Sequence, residues 1–169
     1  MASGTFAAAT LTIGMPPRRF AHQDYAAPGY YLVTAVTVGR ARILGRITAS
    51  GMVPSQLGQI VCDAWDLIPR ERPWILPVAF ALMPNHVHGI LSVSHAPADR
   101  PTPIWNVVGS FKANATRKAR RTQALRQNET MWQRSFDVRF LQSERRLQTA
   151  FRYVEENWKR EWNNSAAGE

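Results

Sequence analysis

The sequence predicts an α+β sandwich with a central antiparallel sheet, and three observations lead there. Apolar residues recur at spacings of three and four in three separate segments, as amphipathic helices require. Between them lie short runs rich in Tyr, Val, Ile and Thr, punctuated by Pro and Gly, as strands are. The helices alternate with too few strands for a doubly wound parallel sheet, and no long internal repeat is visible. With 169 residues, 45% of them hydrophobic, the chain can bury one core.

Residues 1–17 are expected to be a flexible N-terminal tail. Met1 to Gly14 is rich in Ala, Thr and Gly, and without a basic leader or an uninterrupted apolar segment it does not read as a signal peptide. Met15 to Phe20 is a proline-stiffened basic lead. Pro28-Gly29 opens the first strand, Tyr30 to Val38, and after a turn at Gly39-Arg40 the segment Ala41 to Ile47 reads as a second. Leu57, Ile60, Val61, Ala64 and Ile68 form one face of a first helix, with Ser55 as N-cap and Pro69 as stop. Pro73 to Pro77 reads as a loop and Val78 to Met83 as a strand. After a break at Pro84-Asn85 the chain continues extended from His86 to Val93. Ile104, Val107, Val108, Phe111 and Ala115 mark a second helix that ends in a basic run. The last helix starts near Ser143 with an apolar stripe of Leu147, Ala150, Phe151, Val154 and Trp158. The domain is expected to span 18–162, with 163–169 a C-terminal tail.

Lys and Arg number 21 against 12 Asp and Glu, a formal net charge of +9. Such a balance favours a polyanionic partner, nucleic acid before membrane surface. Cys62 is the single cysteine, which excludes an intrachain disulfide and a cysteine-rich zinc site. No run approaches the roughly 18 apolar residues of a membrane span. A soluble, cytoplasmic protein without a membrane partner is the expectation.

Chemistry concentrates in Met83-Pro84-Asn85-His86-Val87-His88-Gly89-Ile90. Side chains two apart on a strand share a face, so His86 and His88 can offer two imidazoles to one ion. Two imidazoles alone leave zinc, manganese, magnesium and iron open, and equally leave open that the pair simply faces a polar sheet surface. His22 and His95 have no such partner. On the last helix Tyr153 and Asn157 lie one turn apart on one flank, with Arg146 and Arg160 on the same side. A phenol held beside arginine and a metal loses its proton more easily, although a tyrosine beside an apolar stripe is more often a core-edge residue. Arg117, Lys118, Arg120 and Arg121, extended by Lys112 one turn earlier, are candidates for phosphate contact, or else a solvated helix end. Trp105 and Trp132 are candidates for stacking on bases.

The His86-Val87-His88 stretch resembles the His-hydrophobic-His motif of the single-tyrosine transposases, in particular the REP-associated tyrosine transposases. Further stretches match in order: His22-Gln23-Asp24-Tyr25 with Pro28-Gly29-Tyr30-Tyr31-Leu32-Val33-Thr34, then Phe111-Lys112-Ala113, Met131-Trp132-Gln133-Arg134-Ser135-Phe136 and Tyr153-Val154-Glu155-Glu156-Asn157. Together they span Arg18 to Trp162.

That resemblance implies a ferredoxin-like sandwich whose central antiparallel sheet carries the histidines and whose late helix carries the nucleophile. It implies that His86 and His88 bind a divalent metal ion, Mg or Mn, that Asn157 can complete the site, and that Tyr153 attacks single-stranded DNA. The product would be a 5′-phosphotyrosine link and a free 3′-hydroxyl. The implied partner is single-stranded or hairpin DNA in a bacterial nucleoid, bound by a monomer or a homodimer. Arg18 and Arg19 would enter a groove or clasp the hairpin stem, and the basic run at the end of the second helix would contact phosphates. Two features depart from the pattern. Phe136-Asp137-Val138-Arg139 stands where relatives often have aromatic residues and an acidic-His pair, and Trp158 stands where relatives commonly have Pro. The departures at Val138 and Arg139 leave room for a domesticated hairpin-binding protein without turnover, and a metal-dependent phosphodiesterase without a covalent intermediate is a further alternative.

Overall fold

A computed structural model describes residues 26–166. The tail at 1–17, Arg18, Arg19 and the His22 to Tyr25 stretch lie outside the described residues, as do 167–169. The chain runs β1 (Gly29–Val36), a 3-10 turn (Val38–Arg40), β2 (Gly45–Thr48), β3 (Gly51–Pro54), α1 (Gln56–Asp66) and α2 (Ile68–Glu71). It continues through β4 (Ile75–Met83), β5 (His86–Val93), α3 (Ile104–Arg121), β6 (Asp137–Phe140) and α4 (Glu144–Ala166).

Four strands pair antiparallel in the order β4-β5-β1-β6. With α1 between β1 and β4 and α3 between β5 and β6, this is the βαββαβ path of a ferredoxin-like sandwich. The hairpin β2-β3 is inserted before α1, and α4 is added after the last strand.

Strand alternation divides the sheet into two faces. Tyr31, Val33 and Ala35 of β1, with Val87, Leu91 and Val93 of β5, join Ile60, Val61, Ala64 and Trp65 of α1 in the main core. Val107, Val108, Phe111 and Ala115 of α3 complete it, with the Trp65 and Phe111 rings edge to face at 5.3 Å. Leu32, Ala79, Ala81 and Ile90 face the other way and meet only Ala150 and Val154 of α4 as buried partners. That second layer is thin, and it is the layer that holds the histidines.

The helix ends follow their capping residues. The Ser55 hydroxyl accepts from the Gly58 amide at 3.1 Å and donates to the Ile43 carbonyl at 2.6 Å, and Ser143 accepts from the Arg146 amide at 3.3 Å. Several expectations are revised. The second strand is only Gly45–Thr48, and β4 begins at Ile75 inside the expected loop. Pro77 is tolerated there because β4 is an edge strand and the ladder shifts register between Pro77 and Ala79. The short strands β3 and β6 were not anticipated. Helix α4 runs to Ala166, past residue 163 where the tail was expected to start. Among the described residues no helix is long and apolar enough to cross a membrane.

Gly89 lets the Trp65 indole pack directly on the sheet, because a Cβ there would fall inside that ring, itself buried. Gly89→Ala is therefore expected to destabilise the fold by about 2 kcal/mol, read as a lowered midpoint in thermal melts.

Candidate active site at the histidine pair

The site begins with a two-residue turn. Pro84 and Asn85 link β4 to β5, so His86 opens the interior strand and His88 follows on the same face. Their rings meet edge to face with centroids 4.8 Å apart. In the ladder His86 stands between Met83 of β4 and Val36 of β1, and His88 between Ala81 and Thr34.

Each imidazole is oriented through Nδ1. His86 Nδ1 lies 2.6 Å from the Asn85 Oδ1, an atom that can only accept, so the ring proton sits on Nδ1 and Nε2 keeps its lone pair. His88 Nδ1 lies 2.7 Å from the Thr34 hydroxyl, which can accept or donate; in the tautomer with the proton on Nδ1 the hydroxyl accepts it and Nε2 of that ring is available as well. Asn85 carried a signal in the sequence, being adjacent to His86. Thr34 carried none, since it is brought in only by strand pairing 54 positions away.

Helix α4 supplies the remaining groups. The Tyr153 ring stands edge-on to His88 with centroids 5.3 Å apart. Asn157, one turn on, is only 6% exposed and occupies the sheet-facing line of Ala150 and Val154, where Trp158 had been expected; Trp158 is half-buried. Arg42 donates to Glu161 at 2.7 Å and ties this end of α4 to the segment after β1. Arg146 is exposed, and Arg160 pairs with Glu156 at 3.3 Å along the helix surface.

Burial, and then the Arg40 and Arg42 guanidinium groups, push His86 down to about 4. His88 is held well below the usual imidazole range by burial, then by His86 and Arg139. Both rings are therefore neutral near pH 7, the state in which imidazole serves as a ligand. Two neutral imidazoles with anchored Nδ1 atoms and a buried amide on the facing helix fit a divalent cation that keeps open positions for phosphate oxygens. Among the described residues no cluster of three or more His, Cys, Asp or Glu could hold one, so a third protein donor would be the Asn157 amide.

The basic residues of α3 do not join this site, because α3 packs on the opposite face of the sheet. Lys118 forms an ion pair with Asp63 at 2.5 Å, Arg117 bonds Asn114, and Arg120 donates to the Glu129 carbonyl at 2.9 Å. Arg121 is exposed. Lys112 points its ammonium at the Gln133 carbonyl, 2.7 Å away, and over the Phe136 ring, and burial lowers its pKa. It clamps α3 to the chain before β6. Trp132 is buried against Phe111 and is not available to stack on bases, whereas Trp105 is 40% exposed.

Because His86 is depressed in the fold, the unfolded chain takes up a proton near 6.5 that the folded protein refuses until about 4. Stability is thus fully present above pH 6.5 and declines as pH falls toward 4. Thermal melts from pH 7.5 to about 5 should show a steeper loss of midpoint for the wild type than for His86→Gln.

Residues 75–157 match the family model described as Transposase IS200 like. An uncharacterized protein of Haemophilus influenzae is 24% identical over 156 residues, covering 82% of this chain and 85% of that one. Among solved structures, a REP-associated tyrosine transposase bound to a REP hairpin is similar with a TM-score of 0.55 at 16% identity, covering 79% of this chain and 68% of that one. A candidate transposase from Deinococcus radiodurans is similar with a TM-score of 0.53 at 19% identity, covering 76% of this chain and 90% of that one. At these identities the structural likeness speaks for the fold. The family match spans β4 to the middle of α4, taking in His86, His88 and Tyr153, and over this stretch the chain is similar to the IS200-like transposases.

Proposed function

We propose that this transposase relative is a metal-dependent single-stranded DNA endonuclease and strand transferase, acting on hairpin DNA through a 5′-phosphotyrosine intermediate. The observation that carries the reading is the placement of the Tyr153 ring edge-on to His88, with His86 beside it on one sheet face. The net charge of +9 and the similarity to a transposase solved with a REP hairpin support DNA as the substrate.

His86 and His88, with the Asn157 amide, would hold a Mg or Mn ion, which when bound polarises the scissile phosphate and stabilises charge on its oxygens. The chain's own groups do the rest. Asn85 holds His86 with Nε2 free, Thr34 would do the same for His88 by accepting its Nδ1 proton, and burial keeps both rings neutral. Tyr153 Oη forms a bond to phosphorus as the bond from phosphorus to O3′ breaks. The phenol proton leaves to solvent and the departing O3′ takes one up. The phosphoryl group stays on the 5′ oxygen of the downstream fragment as a tyrosyl ester, and attack by a 3′-hydroxyl reverses the step and joins strands. The ester conserves the phosphodiester bond energy, so no nucleotide cofactor is required.

Tyr153→Phe should abolish covalent capture of labelled single-stranded DNA on a denaturing gel while leaving hairpin binding within about 1 kcal/mol. Adducts retained in that variant would remove Tyr153 as nucleophile, and strand cleavage retained without adducts would favour a phosphodiesterase lacking a covalent intermediate. Thr34→Val should weaken Mn binding by roughly tenfold in calorimetric titration while Thr34→Ser stays close to wild type. Equal affinities in all three proteins would show that the hydroxyl does not support a metal site.

A further inference from the structure

The turn after β1 has a backbone feature that burial does not explain. Gly39 and Arg40 both lie in the left-handed region, at φ 59° and 55°. Glycine adopts it freely, but for arginine it is strained. The other left-handed non-glycine residue among the described residues, Gln123, follows the end of α3, where helices commonly terminate that way. Arg40 terminates no long helix, and it is exposed.

Hydrogen bonds impose the conformation. The Arg40 amide donates to the Thr37 carbonyl at 3.0 Å and the Ala41 amide to the Val38 carbonyl at 3.1 Å. Thr37, fully buried, donates through its hydroxyl to the Ala41 carbonyl at 2.8 Å. The same hydroxyl and the Thr37 amide reach the Asn85 carbonyl at 2.9 and 3.0 Å. The Leu44 amide donates to the Pro84 carbonyl at 2.9 Å. The turn is thus stitched to the hairpin directly before His86, while Arg42 fixes its other side to α4 through Glu161.

Charge singles out Arg40 within this arrangement. Three arginines lie in the segments that flank the histidine hairpin, Arg40 and Arg42 in the turn bonded to Pro84 and Asn85, and Arg139 on β6 beside β1. Arg42 is paired with Glu161 and Arg139 with Asp137, each at 2.7 Å, whereas Arg40 has no carboxylate partner among the described residues. A strained, exposed and uncompensated cation anchored beside a reactive centre has the character of a ligand clamp.

We infer that Arg40 binds a backbone phosphate of the DNA strand at the His86 end of the site, the left-handed turn serving to present its guanidinium there. This rests on DNA being the substrate, as proposed above. The planar fork can grip two phosphate oxygens at once, which an ammonium cannot.

The test measures binding of the full chain to a thymidine oligonucleotide, and to a hairpin with single-stranded flanks, over a range of salt concentrations. Arg40→Gln should weaken both about tenfold, and the log–log salt slope should become shallower by about 0.7 to 0.9, one phosphate contact. Arg40→Lys should restore the slope but only part of the affinity. Arg40→Gly should raise the melting midpoint, by relieving strain, and still bind DNA as weakly as Arg40→Gln. Wild-type affinity and slope in Arg40→Gln, with wild-type adducts on the gel, would overturn this inference alone. An Arg40-dependent slope without any adduct would support it and overturn only the enzymatic reading, and a wild type that binds neither oligonucleotide would overturn both.

Discussion

The register between β1 and β5 is the constraint on which the site depends. It sets Thr34 opposite His88 and Val36 opposite His86, and alternation along the strands then decides which layer each side chain enters. A slip of one residue would carry both histidines into the layer of α1 and α3, and would turn Gly89, which makes room for the Trp65 indole, to the other face. The main core guards against that slip. Tyr31, Val33, Ala35, Val87 and Leu91 are fully buried on one side only, so every apolar contact there penalises the alternative register.

The opposite layer is built differently. Its buried sheet residues are Leu32, Ala79, Ala81 and Ile90, and α4 answers with Ala150 and Val154. Alanines allow the helix to approach closely, which brings an aromatic ring at 153 against one at 88. The same small side chains bury little area themselves, while Leu147 and Phe151 pack at the margin and Arg42 and Glu161 add a partly exposed ion pair.

Electrostatics complete the picture. The histidines are neutral in a surrounding that is cationic on balance, since two of the three nearby guanidinium groups are neutralised by Glu161 and Asp137 and the third is not. Such a surrounding favours an anionic group electrostatically over a cationic one. The charge that dominates the sequence, at the end of α3, lies on the other layer and is partly consumed by Asp63, Asn114 and the Glu129 carbonyl. Net charge therefore does not by itself indicate which arginines remain free of protein acceptors.

Local pattern determined much of this protein. Apolar periodicity located α1, α3 and α4, Ser55 and Ser143 marked helix starts, Pro84-Asn85 marked the hairpin, and the His86-Val87-His88 spacing put both imidazoles on one face. These features arise between residues a few positions apart, so they are written in the order of the chain. Strands β3 and β6 were not legible, being four residues each and held only by their pairing partners. Only the tertiary structure decided that Thr34 orients His88, that Asn157 rather than Trp158 turns toward the sheet, that Lys112 is a clamp, and that Arg40 stands beside the histidines. Each of those outcomes depends on which face meets which layer, a choice made by packing distant segments together and not by any single stretch of sequence.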